Sequence, residues 1–413
     1  MKKAILIGLD HYKGKKISIY MDELSALANT LHIETDAIFV QDSKLATANY
    51  RIGTGKIEEI KMYIDANDID LAIFNEELTA SQIRNLEEAL TIPVIDRTLL
   101  ILDIFAKRAK TKEAMLQVEV AQLKYILPRL KVLSASFERQ QGGIGSRGPG
   151  EKKIELNRRK IEQEIHKLEK ALAQIVDVRQ TNRKNRQKSL IKTVAVVGYT
   201  NAGKSTLMNK LLEEANVDEG YNVKVKDQLF ATLETTSRRI ELPNTRPFIL
   251  TDTIGFVSNL PHELVDSFKS TLEEIKEADL LLHVVDFSNP YYIDQIATTN
   301  KVLKELDADQ IETLYVFNKL DLTKDSLPFG FAPNVKVSLK DDINIDELIE
   351  KIHQLLSKDD KIITYKIPFD KGEIINILSD YSHILTKDYT EEGTIIKALV
   401  SNTLRHRYED YEI

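Results

Sequence analysis

One eight-residue loop constrains the fold of this chain more than any other feature. It has the spacing Gly-x-x-x-x-Gly-Lys-Ser and consists of Gly198, Tyr199, Thr200, Asn201, Ala202, Gly203, Lys204 and Ser205. The apolar run at 193–197 predicts a buried parallel strand before the loop, and the segment from Thr206 onward predicts a helix. A strand that turns through glycines into a helix directs unpaired backbone N–H groups at one point, where phosphate binds. A chance match in a glycine turn is the alternative.

The residue types of the loop indicate a nucleoside triphosphate. Lys204 can reach the β- and γ-phosphates, Thr206 opens the helix, and the Ser205 hydroxyl can bind Mg²⁺. Asp252 follows a second apolar strand and can hold the same Mg²⁺ through water, while the N–H of Gly255 can meet a γ-phosphate.

Two later motifs identify the base. A third predicted strand, 313–317, is followed by Asn318, Lys319 and Asp321, and a fourth by Ser338, Leu339 and Lys340. An aspartate carboxylate at the first motif can accept from N1–H and the exocyclic amine of guanine, a donor pair that adenine lacks. Four motifs in this order at strand ends predict GTP and GDP as ligands. A switch segment is expected at 227–236, where spacing does not choose among several threonines.

Composition predicts a protein of the cytoplasm with about two to four domains. The chain has 413 residues, no cysteine, and no apolar run of the roughly 20 residues that a membrane helix needs. The net charge is −7, but residues 107–192 hold 22 lysines and arginines against 9 acidic residues. This segment therefore carries +13 and the remainder −20. The asymmetry predicts a polyanionic partner, with a solvated helical surface as the alternative.

We expect an α/β multidomain fold in four parts. Residues 1–98 alternate short strands and helices, which predicts a small α/β domain with a parallel sheet. The Gly53–Lys56 turn lies at a helix start, and a helix cap is favoured there over a phosphate site. Residues 191–357 form a Ras-like P-loop domain. Residues 358–413 form a small α+β domain with a strand (362–368), a helix (372–383) and two further strands (394–399 and 405–411).

Residues 99–190 are predicted to form an antiparallel coiled-coil stalk. One helix is expected from Leu99 to about Ser134 and a second from Glu151 to about Arg186, because apolar residues recur every seven positions. The first series is Leu102, Ala109, Leu116, Leu123 and Leu130, and the second is Ile154, Ile161, Leu168 and Ile175.

The expected stalk tip is glycine-rich and cationic. Five glycines between residues 140 and 150 allow close backbone approach to a partner. The predicted RNA-binding set is Arg139, Gly142, Gly143, Arg147, Gly150, Lys152, Lys153, Arg158 and Arg159. An ordinary long connection is the alternative, although helix–helix links are usually about 2–8 residues.

Three stretches together resemble the HflX family of ribosome-associated GTPases. They are Gly142-Gly143-Ile144-Gly145-Ser146-Arg147-Gly148-Pro149-Gly150-Glu151, Leu229-Phe230-Ala231-Thr232-Leu233 and Asp252-Thr253-Ile254-Gly255-Phe256. The resemblance selects Thr232 as the switch threonine and Mg²⁺ ligand, so that Lys204, Thr232 and Gly255 form the expected catalytic set. It implies a cytoplasmic monomer, without membrane insertion, whose stalk enters the large ribosomal subunit near the peptidyl-transferase centre. It also implies splitting of stalled or idle intact ribosomes into subunits.

Two positions qualify the expected chemistry. Phe256 stands where many GTPases place a water-orienting glutamine, which predicts slow hydrolysis that the ribosome stimulates. Asn201 is compatible with a potassium ion beside the phosphates, with a plain loop hydrogen bond as an equal alternative. Two other functions stay open: a GTP-dependent chaperone of large-subunit assembly, and a signalling GTPase with a protein effector.

Overall fold

The computed structural model describes residues 2–11, 17–140, 149–187, 191–215, 237–242, 246–253, 255–256, 273–323 and 330–413. They divide into two compact units at Asp177 and Val178. None of the helices within these ranges is long and apolar enough to cross a membrane.

The N-terminal sheet has four parallel strands in the order β2-β1-β3-β4. The strands are β1 (Lys2–Asp10), β2 (Ile33–Asp42), β3 (Leu71–Phe74) and β4 (Val94–Asp96), with helices α1 (Ile17–Thr30), α2 (Thr54–Asn67) and α3 (Ala80–Leu90) between them. The predicted parallel sheet is thus confirmed. Gly53 is the N-cap of α2, and its N–H donates to Gln41 Oε1 at 3.0 Å, as the helix-cap interpretation expects.

The single helix predicted from Leu99 to Ser134 is wrong, because two helices cover this range. Helix α4 (Arg97–Arg108) is capped by Ala109, whose ψ of 123° is not helical, and α5 (Lys112–Gln140) follows. The Thr111 hydroxyl accepts from Ala114 N at 3.2 Å, which starts the new helix. Helix α5 contacts α3 and α4 and buries Val118, Ala121 and Tyr125, whereas Leu116 and Leu123 are only half-buried.

Helix α6 (Pro149–Gln187) covers the second predicted stalk helix. An ion pair of 2.7 Å joins Lys124 Nζ of α5 to Glu169 Oε1 of α6, and Ile165 and Leu168 of α6 are buried. The two helices therefore lie side by side at this level. The predicted tip at Gly142, Gly143 and Arg147 lies outside the described residues.

The central sheet of the second unit has six strands in the order β10-β9-β8-β5-β7-β6. They are β5 (Lys192–Gly198), β6 (Ser237–Ile240), β7 (Phe248–Asp252), β8 (Leu280–Asp286), β9 (Thr313–Asn318) and β10 (Asn334–Lys336). Helices α7 (Lys204–Glu214), α8 (Tyr292–Glu305) and α9 (Ile345–Leu356) accompany them. All pairings are parallel except β6 with β7. The carboxyl ends of β5, β7 and β9 therefore meet at one edge, where ligands bind in sheets of this type.

The C-terminal sheet is antiparallel, with strands in the order β11-β13-β12. It contains β11 (Lys361–Ile367), α10 (Gly372–Tyr381), β12 (His383–Thr390) and β13 (Gly393–Val400), followed by α11 (Asn402–Arg407).

Two C-terminal predictions are wrong. The strand predicted at 405–411 is the end of α11 and a 3₁₀ turn (Glu409–Tyr411), since the Ser401 hydroxyl caps the helix by accepting from Leu404 N. The helix predicted to reach His383 ends at Tyr381, because Ser382 is extended and His383 begins the unpredicted strand β12.

Candidate nucleotide-binding site

The phosphate loop connects β5 to α7, and two of its glycines occupy conformations that only glycine tolerates. Gly198 has φ 142°, and a Cβ there would lie 2.3 Å from Val284 O of β8. Gly203 has φ 103°, and a Cβ would lie 2.2 Å from Asn318 Nδ2. Any side chain at either position would therefore force the loop away from the neighbouring strands.

Lys204 occupies the centre of the loop. Its side chain is buried, and its Nζ donates to Gly198 O at 3.0 Å and to Tyr199 O at 2.6 Å. Burial lowers the pKa of Lys204 to about 8, and the nearby charge of Asp252 opposes this shift. The loop thus holds a cationic donor against two of its own backbone carbonyl oxygens.

Asp252 lies beside the loop because β7 pairs in parallel with β5, with Asp252 opposite Val196. The carboxylate is fully buried, and its Oδ1 accepts from Thr253 N at 3.0 Å. The Thr253 hydroxyl donates to Val196 O at 2.6 Å and fixes the end of β7 to the strand that carries the loop.

The segment after β7 is attached to the loop by its backbone. Thr200 N donates to Phe256 O at 2.8 Å, and Phe256 N donates to Gly198 O at 3.2 Å. A Cβ on Gly255 would lie 2.8 Å from Thr200 Cγ2 and 2.9 Å from Lys204 Nζ. The ring of Phe256 is only 2% exposed, so the side chain after Gly255 packs in the protein interior.

Asn318 fixes the base-side wall of the site. Its Nδ2 donates to Ala202 O at 2.9 Å, and its Oδ1 accepts from Leu339 N at 3.2 Å. The buried Ser338 hydroxyl donates to Asp321 Oδ1 at 2.8 Å. The structure therefore brings both predicted base motifs to the phosphate loop, although each lies more than 100 residues after it in the sequence.

The other predicted nucleotide residues within the described ranges lie in or next to the phosphate loop and the base motifs. Ser205 and Thr206 lie in the first turn of α7, Tyr199 is buried, and Lys340 is exposed next to buried Leu339. Asn201 is exposed and has φ 61°. Thr232 lies outside the described residues.

The predicted RNA-binding residues are described only in part. Gly150 lies in the first turn of α6, and Arg139, Lys152 and Lys153 lie on the backbones of α5 and α6. Arg158 forms an ion pair with Glu162 at 2.9 Å, and Arg159 is exposed.

Two polar residues of β8 were missed by the sequence analysis. Asp286 Oδ2 accepts from Lys319 Nζ at 2.7 Å, directly beside the base motif. His283 is buried, and its ring lies 5.1 Å from that of Tyr315 between centroids, tilted by 33°. Burial lowers the pKa of His283 to about 3, and the charge of Lys204 contributes to this shift. The side chain is therefore neutral at physiological pH. The signal for Asp286 was present, since an apolar run ends in an aspartate as it does at Asp252.

The described residues contain no group of three or more histidines, cysteines or acidic residues suited to a metal ion. The Ser205 hydroxyl and Asp252 carboxylate are nevertheless hard oxygen donors of the type that Mg²⁺ prefers. Mg²⁺ usually keeps several waters and binds few protein ligands, so this pair is chemically compatible with the ion.

Comparison with protein families finds three matches along the chain. A GTP-binding GTPase N-terminal family matches residues 18–106, a GTP-binding GTPase middle-region family matches 108–186, and a 50S ribosome-binding GTPase family matches 193–319.

Similar proteins match over nearly the whole length. GTPase HflX of Caldanaerobacter subterraneus is 44% identical over 95% of this chain and 90% of its own length. GTPase HflX of Escherichia coli K12 is 38% identical over 95% and 92%, respectively. A solved GTP-binding protein from Sulfolobus solfataricus in complex with GDP is 26% identical and covers 87% of this chain and 99% of its own, with a TM-score of 0.45. The protein binds and hydrolyses GTP, and it belongs to the HflX family of GTPases.

Proposed function

We propose that this GTPase binds the large ribosomal subunit and splits stalled or idle ribosomes into subunits. The observation that carries the ribosomal part is the net charge of +13 on residues 107–192 in a chain of net charge −7. A cationic helical segment of this kind binds the phosphates of RNA and releases counterions. The description of the family matched at 193–319, a 50S ribosome-binding GTPase, supports the same partner.

The phosphates of GTP bind across the loop between β5 and α7. Backbone N–H groups at the start of α7 bind the phosphate oxygens, and Lys204 leaves its contacts with Gly198 O and Tyr199 O to reach the β- and γ-phosphates. The N–H of Gly255 donates to the γ-phosphate, and Thr232 completes this contact when GTP is bound. Guanine lies against Asn318, Lys319 and Asp321, with Ser338 orienting the Asp321 carboxylate.

Mg²⁺ would be held by Ser205, Thr232 and, through water, Asp252, and would neutralise charge that develops between the β- and γ-phosphates. Asn201 lies at the surface of the loop, where its side-chain carbonyl could contribute to a potassium site. Equal hydrolysis rates in potassium and sodium would remove that role.

Hydrolysis is slow in the free protein and is stimulated by the ribosome. The buried ring of Phe256 cannot hydrogen-bond an attacking water, so the residue directly after Gly255 supplies no amide for this purpose. An arginine finger supplied by a partner raises the rate of GTP hydrolysis roughly 10³–10⁵-fold in the GTPases that receive one. The binding energy of the GTP state separates the subunits, and hydrolysis resets the protein.

Sucrose-gradient sedimentation tests the splitting activity. Intact ribosomes incubated with the protein and a non-hydrolysable GTP analogue should sediment as separate subunits, whereas GDP should leave them joined. Arg147→Glu should reduce splitting, and Lys301→Glu, which makes the same charge change at an exposed side chain of α8, should not. Binding to free large subunits without any splitting would contradict the proposal and favour the assembly chaperone.

A further inference from the structure

Asp286 holds the end of β8 and the lysine of the base motif at the same time. Its Oδ1 accepts from Ser288 N at 3.1 Å and from Ser288 Oγ at 2.6 Å, which fixes the turn after the strand. Its Oδ2 accepts from Lys319 Nζ at 2.7 Å. The two carboxylate oxygens thus have separate partners, one local and one on the neighbouring strand.

The backbone keeps these two residues close. Asp286 pairs in register with Asn318, the residue before Lys319, and Phe287 N donates to Asn318 O at 2.9 Å. Lys319 itself has φ 66° and ψ 39°, a left-handed conformation at the start of the 3₁₀ turn that contains Asp321. The side chains of Asp286 and Lys319 are 15% and 27% exposed, so this ion pair is better shielded from solvent than ordinary surface pairs.

A lysine side chain normally has several rotatable bonds and loses entropy when a ligand immobilises it. Here both ends of the Lys319 stem are fixed, the backbone end by Asn318 and the ammonium end by Asp286. The apolar stem is therefore ordered before any nucleotide arrives, which reduces the cost of binding.

We propose that Asp286 is a positioning residue for guanine nucleotides. It fixes the ammonium of Lys319 so that the stem forms one wall of the base pocket, and it does not contact the nucleotide itself. This inference rests on the proposed binding of guanine at residues 318–321.

Dissociation of a fluorescent N-methylanthraniloyl derivative of GDP tests the inference in the full-length protein. Asp286→Asn keeps an oxygen that can accept from Ser288 but loses the charge that holds Lys319. We expect this variant and Lys319→Met each to release the nucleotide about tenfold faster than the wild type. The double variant should release it no faster than Lys319→Met alone, because Asp286 acts through Lys319.

A matched control is Asp307→Asn, which breaks the exposed pair between Asp307 and Lys276 and should leave dissociation unchanged. If Lys319→Met does not alter release, the proposed base pocket itself is wrong. If Lys319→Met speeds release but Asp286→Asn does not, the pocket stands and the positioning role is overturned. The role is equally overturned if Asp286→Asn has its full effect in the Lys319→Met background.

Discussion

Gly255 lies in the segment after β7, in close contact with the phosphate loop. An alanine methyl group would meet Thr200 Cγ2 at 2.8 Å and Lys204 Nζ at 2.9 Å. Making room for this methyl group would displace the Gly255 N–H, which we propose donates to the γ-phosphate. We therefore expect Gly255→Ala to slow single-turnover GTP hydrolysis by roughly 100-fold, the cost typical of losing one transition-state donor. GDP affinity should change little, because GDP has no γ-phosphate.

Gly55→Ala is the matched control. A Cβ at Gly55 meets nothing within 4 Å, and the residue lies in the first turn of α2. This substitution should leave hydrolysis unchanged and stabilise the protein by about 0.4–1 kcal/mol. Wild-type hydrolysis by Gly255→Ala would show that the close approach has no role in catalysis.

The lowered pKa of Lys204 predicts how the affinity for GDP depends on pH. Burial lowers its pKa to about 8 in the nucleotide-free protein, whereas bound phosphates favour the charged form. Below pH 8 the ammonium is already present and affinity should be flat. Above pH 8 the neutral amine of Lys204 must take up a proton when the nucleotide binds, so affinity for GDP should fall by up to about tenfold per pH unit.

Calorimetric titrations with GDP between pH 7 and pH 9, in two buffers of different ionisation enthalpy, measure this effect. Proton uptake on binding should grow as the pH rises. A constant affinity with no proton uptake across this range would contradict the role given to Lys204.

Phe256→Gln tests whether the missing glutamine alone accounts for the slow hydrolysis that we propose. Phe256 is buried, and both its backbone N–H and its carbonyl bind the loop. A glutamine should therefore place an amide in the core, destabilise the protein by about 2–4 kcal/mol and leave hydrolysis slow. Urea denaturation and single-turnover assays measure the two effects. Fast hydrolysis without ribosomes would show that Phe256 is the limiting residue.

Among the elements, the hairpin of β6 and β7 contacts the C-terminal part of the chain through two arginines. Arg239 Nη2 donates to Asp380 O of α10 at 2.8 Å. Arg246 Nε lies 3.2 Å from Asp360 Oδ2, and these two side chains are 2% and 1% exposed. Burial raises the pKa of Asp360, and the charge of Arg246 opposes this shift.

The buried pair gives a prediction about stability. Arg246→Met leaves a buried carboxylate without its cation, so we expect a loss of about 3–5 kcal/mol in urea denaturation. This loss should shrink as the pH falls, because a protonated Asp360 no longer needs a cation. Arg246→Met combined with Asp360→Leu should recover most of the stability. An equal loss of stability in the double variant would mean that Arg246 and Asp360 stabilise the protein through packing and not through their charges.

Elements with a strong local signal were predictable from the sequence. Strand β5 and helix α7 surround a loop whose spacing fixes its surroundings, and β3 is fully buried and apolar. Strand β12 was missed because five successive residues, from Leu385 to Tyr389, are exposed and lack an apolar alternation. The break between α4 and α5 was missed because Ala109 fits the seven-residue pattern although it caps a helix.

The candidate site, like the fold, was predictable from the sequence only in part. Lys204, Asp252 and the pair Asn318 and Asp321 were predictable because they lie in three short motifs, each recognisable from its own sequence. The partnership of Asp286 with Lys319 spans 33 positions, and Arg246 reaches the carbonyl of Leu356 across 110. Such contacts depend on which strands are neighbours in the sheet, and periodicity along the chain carries no information about that.

At the scale of the whole molecule, positive charge and nucleotide binding occupy different stretches of one chain. The segment 107–192 is cationic, the phosphate loop begins at Gly198, and the base motifs extend to Lys340. If the nucleotide state controls ribosome binding, GTP and the large subunit must each raise the affinity for the other by the same factor.

Sedimentation of the protein with purified large subunits, in a non-hydrolysable GTP analogue and in GDP, measures that factor. Coupling between sites is commonly 5- to 150-fold, and we predict at least about tenfold tighter binding with the GTP analogue. Equal affinity for the large subunit with both nucleotides would contradict the control of ribosome binding by GTP.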